Sequence, residues 1–370
     1  MTHLKRWKNT IQKKPVDRAP LFYLGTAEFN DKLSHSLHMP FEDILHRALD
    51  VTYRHTGLEA MDLKAAEPAY IGPEPTTFPD GTFTNIWGVI QKRQAYAKGT
   101  YVESIRNPLQ DADSVDVIQA YPWPSVDDFD YNGLCHILKR YPQYPFMLGY
   151  FAIGWFSWEM RGMQQFLMDL HINPKLANAI VNTIADFGYA YFCRLYDATS
   201  DYIGKNFVCI HIADDWAQQD TLTISPEMFR TFFKPHYKRI VEKAHSLGLK
   251  VEYHCCGCVL KLIPDLIDIG IDILNPIQVS AKGMDPAHII NEYGRDLCFS
   301  GAIDVQHLLP FSTPQQIREE VMRILDVFSR HGGYFCGPTH NIQVNTPVEN
   351  VVAMYKAIYD YYGYPNTHLS

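Results

Sequence analysis

The segment Glu252-Tyr-His254-Cys255-Cys256 places an imidazole and a thiol two residues apart. Side chains at positions i and i+2 of a β-strand point to the same face, so His254 and Cys256 project together while Cys255 faces the other way. Zinc takes nitrogen and sulfur ligands in tetrahedral geometry, so this pair supplies half of a zinc site. Gly257 follows directly and lets the backbone turn after the pair.

A third ligand has to come from another part of the chain, and the last predicted strand offers two candidates, Cys336 and His340. Cys336 is expected within the strand, whereas His340 follows Pro338 and lies in a loop, where catalytic residues concentrate. We therefore predict His340 as the third zinc ligand, with Cys336 as the fallback. Three protein ligands leave the fourth position open, which is typical of a catalytic zinc. The alternative is packing alone, because free cysteine is among the most buried residue types.

Carboxylates follow two other predicted strands and are candidates for catalysis. Asp214 and Asp215 end one strand, and adjacent side chains cannot both point inward. One is expected at the mouth as a base or substrate anchor, and the other as a cap of the loop. Asp304 ends another strand and is a candidate catalytic acid or a partner for a ligating imidazole. The alternative for Asp214 and Asp215 is a pair of solvated loop acids. His211, inside a strand, is predicted to be a hydrogen-bonded core histidine.

Eight short apolar or β-branched runs are the elements that must position these residues. They are Ala19–Leu24, Ala60–Lys64, Phe146–Ala152, Phe207–Ala213, Lys250–Cys255, Asp272–Asn275, Asp296–Gly301 and Gly333–Cys336. Strands alternating with helices form a parallel sheet, and eight repeats predict an α/β fold of the (β/α)8 TIM-barrel type. An open doubly wound sheet is the competing fold, but no Gly-x-Gly-x-x-Gly turn follows the first strand.

Barrel enzymes carry their working residues at the C-terminal ends of the strands. Besides the residues above, that position holds Lys64, Glu67, Tyr150, Asn275 and Gln278. We predict that Tyr150, Asn275 and Gln278 bind a cofactor.

One connection, from about residue 65 to residue 145, is far longer than the others and is rich in proline and aromatic residues. Asp80-Gly81 within it is a hairpin-turn dipeptide between alternating residues. We predict an inserted hairpin segment after the second strand that caps the barrel mouth. No Ser/Gly-rich linker or repeat divides the chain, so residues 1–370 are predicted to form a single domain.

The composition is that of a globular protein and limits the classes of partner. With 46% hydrophobic and 20% charged residues, the chain is neither disordered nor fibrous. A net charge of −8 argues against nucleic acid as a partner. No apolar run reaches the ~18 residues of a membrane span, and the N-terminus has no apolar signal segment. The protein is therefore expected to be cytoplasmic, away from membranes, with reduced thiols.

Ordered motifs along almost the whole chain resemble those of the uroporphyrinogen decarboxylase superfamily. They are Asp17-Arg-Ala-Pro20, Tyr121-Pro-Trp-Pro124, Asp214-Asp-Trp216, Ser225-Pro226, His254-Cys-Cys-Gly257, Asn275-Pro-Ile-Gln278, Gly301-Ala-Ile-Asp304, His340-Asn-Ile-Gln343 and Thr346-Pro-Val-Glu-Asn350. The resemblance implies the same barrel fold that the strand count predicts.

The superfamily contains two main activities, and one local difference separates them. True decarboxylases carry Arg-Gln-Ala-Gly-Arg-Tyr after the first strand, where this chain reads Leu24-Gly-Thr-Ala-Glu-Phe29. Without those arginines a polycarboxylate porphyrinogen is a poor substrate. The chain is closer to the zinc-dependent corrinoid methyltransferases, which carry His-x-Cys and a distant third cysteine. Counted from the Thr346 helix start, the place of that cysteine is taken by His340.

The resemblance implies a zinc enzyme that moves a methyl group between a corrinoid and a thiol or related acceptor. No Asp-x-His-x-x-Gly corrinoid-binding sequence is present, so the methylcorrinoid is expected as a co-substrate on a separate protein. One alternative is a carboxy-lyase acting on uroporphyrinogen or a smaller acid, with Asp214 or Asp215 managing the proton. Another is a non-catalytic ligand-binding barrel. Dimers are usual in the superfamily, so a homodimer is a further expectation.

Overall fold

The computed structural model describes residues 1–41, 44, 64–96 and 99–363. Its main sheet has seven parallel strands hydrogen-bonded in chain order. They are Lys64–Ala66, Phe146–Phe151, Phe207–Ala213, Lys250–His254, Ile273–Asn275, Cys298–Ile303 and Tyr334–Pro338. The segment 21–25 makes parallel bridges to Cys336 and Ile342 and supplies the first of eight strand units. The fold is therefore the α/β (β/α)8 barrel type that the sequence predicts, and we number its strands first to eighth in chain order.

The predicted strand boundaries agree with the structure to within about two residues wherever both can be compared. The fourth strand has the predicted bounds, Phe207–Ala213. The seventh strand is displaced, since it runs from Cys298 to Ile303 rather than from Asp296. Residues 60–63 of the predicted second strand, and the side chain of Lys64, lie outside the described residues.

Helices connect the strands and pack against the sheet. They are His3–Ile11, Ala27–Leu37, Val115–Ala120, Gly133–Arg140, Ile153–Arg161, Met163–Ile172, Pro174–Ala198, Pro226–Met228, Lys234–Ser246, Ile263–Ile269, Pro286–Tyr293, Leu308–Phe311, Pro314–Ser329 and Val348–Tyr362, with a π-helical turn at Phe229–Phe233. Short 3-10 turns lie at Val126–Asp128, Ser200–Tyr202 and Leu260–Leu262. Pro314–Ser329 begins at a capping box between Thr313 and Gln316, and its apolar stripe is buried. None of the described helices is both long enough and apolar enough to cross a membrane.

The N-terminal helix His3–Ile11 closes the end of the barrel where the strands begin. Trp7 packs in a cluster with Met147, Cys298 and Phe335, which lie on three different strands. Lys13, just after this helix, donates from Nζ to the carbonyl of Gly294 at 2.7 Å, in the loop before the seventh strand. Because this end is filled by apolar packing, the functional cavity lies at the opposite end, where the strands finish.

The insertion after the second strand contains the hairpin that the sequence predicts. Its three antiparallel strands are Phe83–Thr84, Ile90–Tyr96 and Gly99–Arg106, while Ala69–Tyr70 pairs with Phe129–Asp130. The Asp80-Gly81 turn is closed by the amide of Gly81, which donates to the carbonyl of Phe78 at 3.0 Å.

The insertion sits beside the barrel mouth. The ring centroid of Trp87 lies 4.9 Å from those of Phe156 and Phe187, which belong to the helices after the third strand. Of the described residues between 68 and 145, none lines the central cavity. The insertion therefore supports the wall of the mouth through these helices.

Candidate metal centre

A cavity of about 510 Å³ opens at the C-terminal ends of the barrel strands. Its lining comes from the first to the sixth strand and the eighth, or from the loops directly after them. Apolar side chains such as Phe22 and Leu24 share the wall with polar ones such as Glu67 and Asn275. A cavity of this size and mixed lining suits one small molecule.

His254, Cys256 and His340 meet at this mouth, with their ligand atoms all within 4.8 Å of one another. His254 Nε2 and Cys256 Sγ are 3.4 Å apart. Ligand atoms of a tetrahedral zinc site are roughly 3.3–3.8 Å apart, given the usual zinc–nitrogen and zinc–sulfur bond lengths. Two nitrogens and one sulfur are also ligands that zinc prefers, so these residues fit a zinc ion with one position left open.

Local backbone geometry explains why these three side chains converge. His254 is the last residue of the fifth strand, and Cys256 follows it on the same face. Gly257 then adopts φ 88°, and a Cβ there would lie 2.5 Å from the carbonyl oxygen of Gln218, so only glycine fits this turn. His340 follows the eighth strand by two residues and reaches the same mouth from the far side.

Asn275 orients the ring of His254. The two residues are register partners on the fifth and sixth strands, and His254 Nδ1 lies 2.7 Å from Asn275 Oδ1. The Asn275 amide is itself oriented, because its Nδ2 donates to Ser300 Oγ at 3.0 Å. The network therefore assigns the proton to His254 Nδ1 and leaves Nε2 as the metal-binding atom.

We call His254, Cys256 and His340 the triad. The protonation states of two of its members, Cys256 and His340, are compatible with metal binding. Burial, with the charge of Asp215 adding to it, raises the pKa of Cys256 to about 12. Desolvation lowers the pKa of His340 from its usual value. At neutral pH the metal-free triad thus has a protonated thiol and a neutral His340 imidazole. Of these two ligands, only Cys256 has to release a proton when a metal binds.

Asp214 and Asp215 both line the cavity but have different partners. The Asp214 carboxylate accepts the backbone N–H groups of Gly154 and Trp155, each at 2.7 Å, and a hydrogen bond from the Tyr237 hydroxyl. It thereby caps the helix Ile153–Arg161. Desolvation raises the pKa of Asp214 to about 7, although these three donors oppose the rise.

Asp215 lies closer to the triad. Its Oδ1 accepts the backbone N–H of Cys256 at 2.8 Å and is 3.9 Å from His254 Nε2. Its side chain is 42% exposed and lines the cavity. Of the two acids, Asp215 is therefore the one placed to accept a proton near a bound ligand.

The capping role of Asp214 leads to a prediction about stability. At pH 8, where the wild-type carboxylate is charged, Asp214→Asn should lower the free energy of unfolding by about 1–3 kcal/mol, because the amide NH2 opposes a buried backbone N–H. Asp215→Asn, whose Oδ1 can still accept the Cys256 N–H, is the matched control. Urea denaturation of both variants measures the difference. Equal transition midpoints for the two variants would contradict the capping role.

The remaining predicted site residues are placed as follows. Tyr150 lines the cavity, and Gln278 Oε1 accepts the backbone N–H of Gly257 at 2.7 Å, which holds the turn after Cys256. Asp304 lies apart from the triad, and its carboxylate accepts the N–H groups of residues 306–308. Cys336 is fully buried in the hydrophobic core, where desolvation raises its pKa to about 12.

Two residues were missed as site candidates, namely His211, which lines the cavity, and Glu252, which contacts His211 from behind it. His211 Nδ1 lies 2.8 Å from the buried carboxylate of Glu252, so the predicted hydrogen bond is present, but the ring lines the cavity. It stacks against Tyr150 with the ring centroids 5.5 Å apart. A sequence signal existed, because Glu252 stands two residues before His254 and so shares its face of the strand.

Comparisons with known proteins identify the family of this chain. The sequence model of the family described as uroporphyrinogen decarboxylase (URO-D) matches residues 145–361, which is more than half of the chain. The methylated-thiol–coenzyme M methyltransferase of Methanosarcina mazei is 26% identical over 234 residues, which cover 61% of this chain. That match spans 56% of the relative, so this chain aligns with little more than half of its length.

A solved methyltransferase structure from Methanosarcina mazei has the same fold. It superposes with a TM-score of 0.63 at 19% identity, over 98% of this chain and 99% of the other. Together with the family match, this superposition confirms the barrel and the resemblance predicted from the ordered motifs. The chain belongs to the uroporphyrinogen decarboxylase family.

Proposed function

We propose that the protein is a zinc-dependent methyltransferase that moves a methyl group between a corrinoid on a separate protein and a thiol or related acceptor. The observation that carries this proposal is the group His254, Cys256 and His340 at the mouth of the cavity. The name of the 26% identical relative, a methyltransferase acting between a methylated thiol and coenzyme M, supports the same class of reaction.

The chain's own residues hold and orient the reacting groups. His254 Nε2, Cys256 Sγ and the His340 imidazole would hold the zinc ion, while Asn275 fixes the ring of His254. When bound, zinc lowers the pKa of a coordinated thiol below its usual ~8.5, so that the thiolate forms at neutral pH. The apolar wall around the mouth limits the access of water.

The transfer balances in atoms and electrons. The acceptor thiol gives its proton to Asp215, whose carboxylate is the one placed beside the triad, or to water. A sulfur lone pair then forms the new S–CH3 bond. The bond between the methyl group and cobalt breaks, and its electron pair stays with the donor.

Decarboxylation is the activity in the family's own name, but the charge of the cavity disfavours it here. The segment where true decarboxylases carry arginines, Leu24–Phe29, has none here, and Leu24 is its residue in the lining. The charged side chains of the described lining are Glu67, Asp214 and Asp215, all acidic. A porphyrinogen with many carboxylates would be repelled by such a wall.

The test is a methyl-transfer assay with the purified, zinc-loaded protein, free methylcobalamin and a panel of thiols. We expect about one zinc per chain and thiol-dependent loss of the methyl–cobalt absorbance, which a chelator removes and added zinc restores. Release of carbon dioxide from uroporphyrinogen without demethylation would favour the lyase. Ligand binding without either reaction would favour a non-catalytic barrel.

A further inference from the structure

The described wall of the cavity carries negative charge. Glu67, Asp214 and Asp215 line it, and no lysine or arginine does so among the side chains that the structure describes. The histidines at the mouth are titratable, but two of them belong to the metal-binding triad. A ligand that enters this cavity therefore meets carboxylates together with the metal site.

The three carboxylates differ in how many hydrogen bonds they accept from the protein. Asp214 accepts two backbone N–H groups and the Tyr237 hydroxyl. Asp215 accepts one N–H, from Cys256, through a single oxygen. Glu67 is exposed to the cavity, and no hydrogen bond or ion pair reaches its carboxylate from the rest of the described chain. Desolvation raises the pKa of Glu67 to about 7.

Aromatic faces stand beside these acids. Tyr150 is 38% exposed and Trp155 is 43% exposed, which is high for large aromatic side chains, and both line the cavity. Burial raises the pKa of Tyr150, and the charges of Asp214, Asp215 and Glu67 add to this rise, so the ring lies close to all three acids. An aromatic face combined with a nearby carboxylate is a favourable environment for an ammonium group.

Resting on the proposed methyl transfer, we infer that the acceptor is a small thiol with a cationic group at its other end, an aminothiol. Its sulfur is placed at His254, Cys256 and His340, and its ammonium group between Glu67 and the faces of Tyr150 and Trp155. Thiols that carry a carboxylate or sulfonate in place of the ammonium group are disfavoured by the acidic wall.

The experiment measures thiol binding directly and does not depend on turnover. Protein loaded with Co²⁺ instead of zinc is titrated with three thiols of equal chain length, and the sulfur–cobalt charge-transfer band reports binding. The thiols are 2-aminoethanethiol, 2-mercaptoethanol and 2-mercaptoethanesulfonate, which are cationic, neutral and anionic. We expect the cationic thiol to bind at least about tenfold more tightly than the anionic one, with a ratio that shrinks as salt is added.

A variant of the cavity wall separates the effect of the wall's charge on affinity from the intrinsic acidity of each thiol. Glu67→Gln should reduce the ratio of cationic to anionic affinity by about threefold or more and leave the neutral thiol unchanged. Glu74→Gln, which removes an exposed acid of the insertion, is the matched control and should change none of the three affinities.

The outcomes distinguish this inference from the proposed function. Tighter binding of the anionic thiol, no effect of Glu67→Gln, or no thiol binding at all would overturn the inference. If the thiols bind in the expected order but methylcobalamin stays intact with the zinc-loaded protein, the cationic preference stands and methyl transfer fails. If methyl transfer occurs fastest with the anionic thiol, the function stands and the cationic preference fails.

Discussion

Cys256→Ala is expected to lower the zinc affinity of the protein by roughly a hundredfold or more, and to abolish thiol-dependent methyl transfer. The four ligands of a structural zinc site together contribute about 10–16 kcal/mol, so each contributes about 3 kcal/mol. Cys256 Sγ lies 3.4 Å from His254 Nε2 and supplies the triad's one sulfur. Without it, two imidazoles remain and zinc is held weakly.

Competition against a chromophoric chelator measures the zinc affinity of this variant. Cys258→Ala is the matched control, because this half-buried cysteine follows only two residues later and lies outside the triad. It should keep the wild-type affinity. If both variants bind zinc as tightly as the wild type, the metal centre is wrong, and the proposed function loses the observation on which it depends.

The second prediction concerns the third ligand, for which the chain offers His340 and Cys336. His340→Ala should lose zinc affinity by roughly the same hundredfold, since one ligand is again removed. Cys336→Ala should keep the zinc, because Cys336 is fully buried in the hydrophobic core. Its cost should instead appear as a lower free energy of unfolding, by about 1–2 kcal/mol. Chelator competition and urea denaturation report the two effects separately.

A third variant directly tests whether residue 340 is a metal ligand. His340→Cys places a thiol where the resemblance to the methyltransferases implies one, and should bind metal with two sulfurs. In the Co²⁺-loaded protein the sulfur–cobalt absorption should then grow to about twice that of the wild type, in proportion to the number of thiolates. If His340→Ala still binds zinc and Cys336→Ala does not, Cys336 rather than His340 is the third ligand.

Features that depend on local periodicity were accessible from the sequence. The alternation of side chains along a strand put His254 and Cys256 on one face before any contact was known. Short apolar runs between helical segments predicted eight strand units, and the turn dipeptide Asp80-Gly81 predicted the inserted hairpin. Each of these inferences uses residues within one secondary-structure element, where backbone geometry relates the spacing of residues to the direction of their side chains.

The choice between chemically equal candidates required the tertiary structure. Nothing in Asp214-Asp215 says which acid caps a helix, because the amides that select Asp214 belong to Gly154 and Trp155, some 60 residues earlier. Asn275 was predicted to bind a cofactor, but strand register places its amide against His254. Asp304 likewise follows a strand, yet its carboxylate is used by three amides of its own loop.

The sequence by itself therefore determined the barrel, the family and the shared face of His254 and Cys256, whereas the tertiary structure decided how the mouth is assembled. The fifth and eighth strands are not neighbours in the sheet, so the approach of His340 to His254 depends on the curvature of the whole barrel. The same holds for the wall, where Glu67 follows the second strand and meets Tyr150 and Trp155, which lie more than 80 residues later. Such contacts are set by strand register and packing summed over many residues, and no local spacing in the chain encodes them.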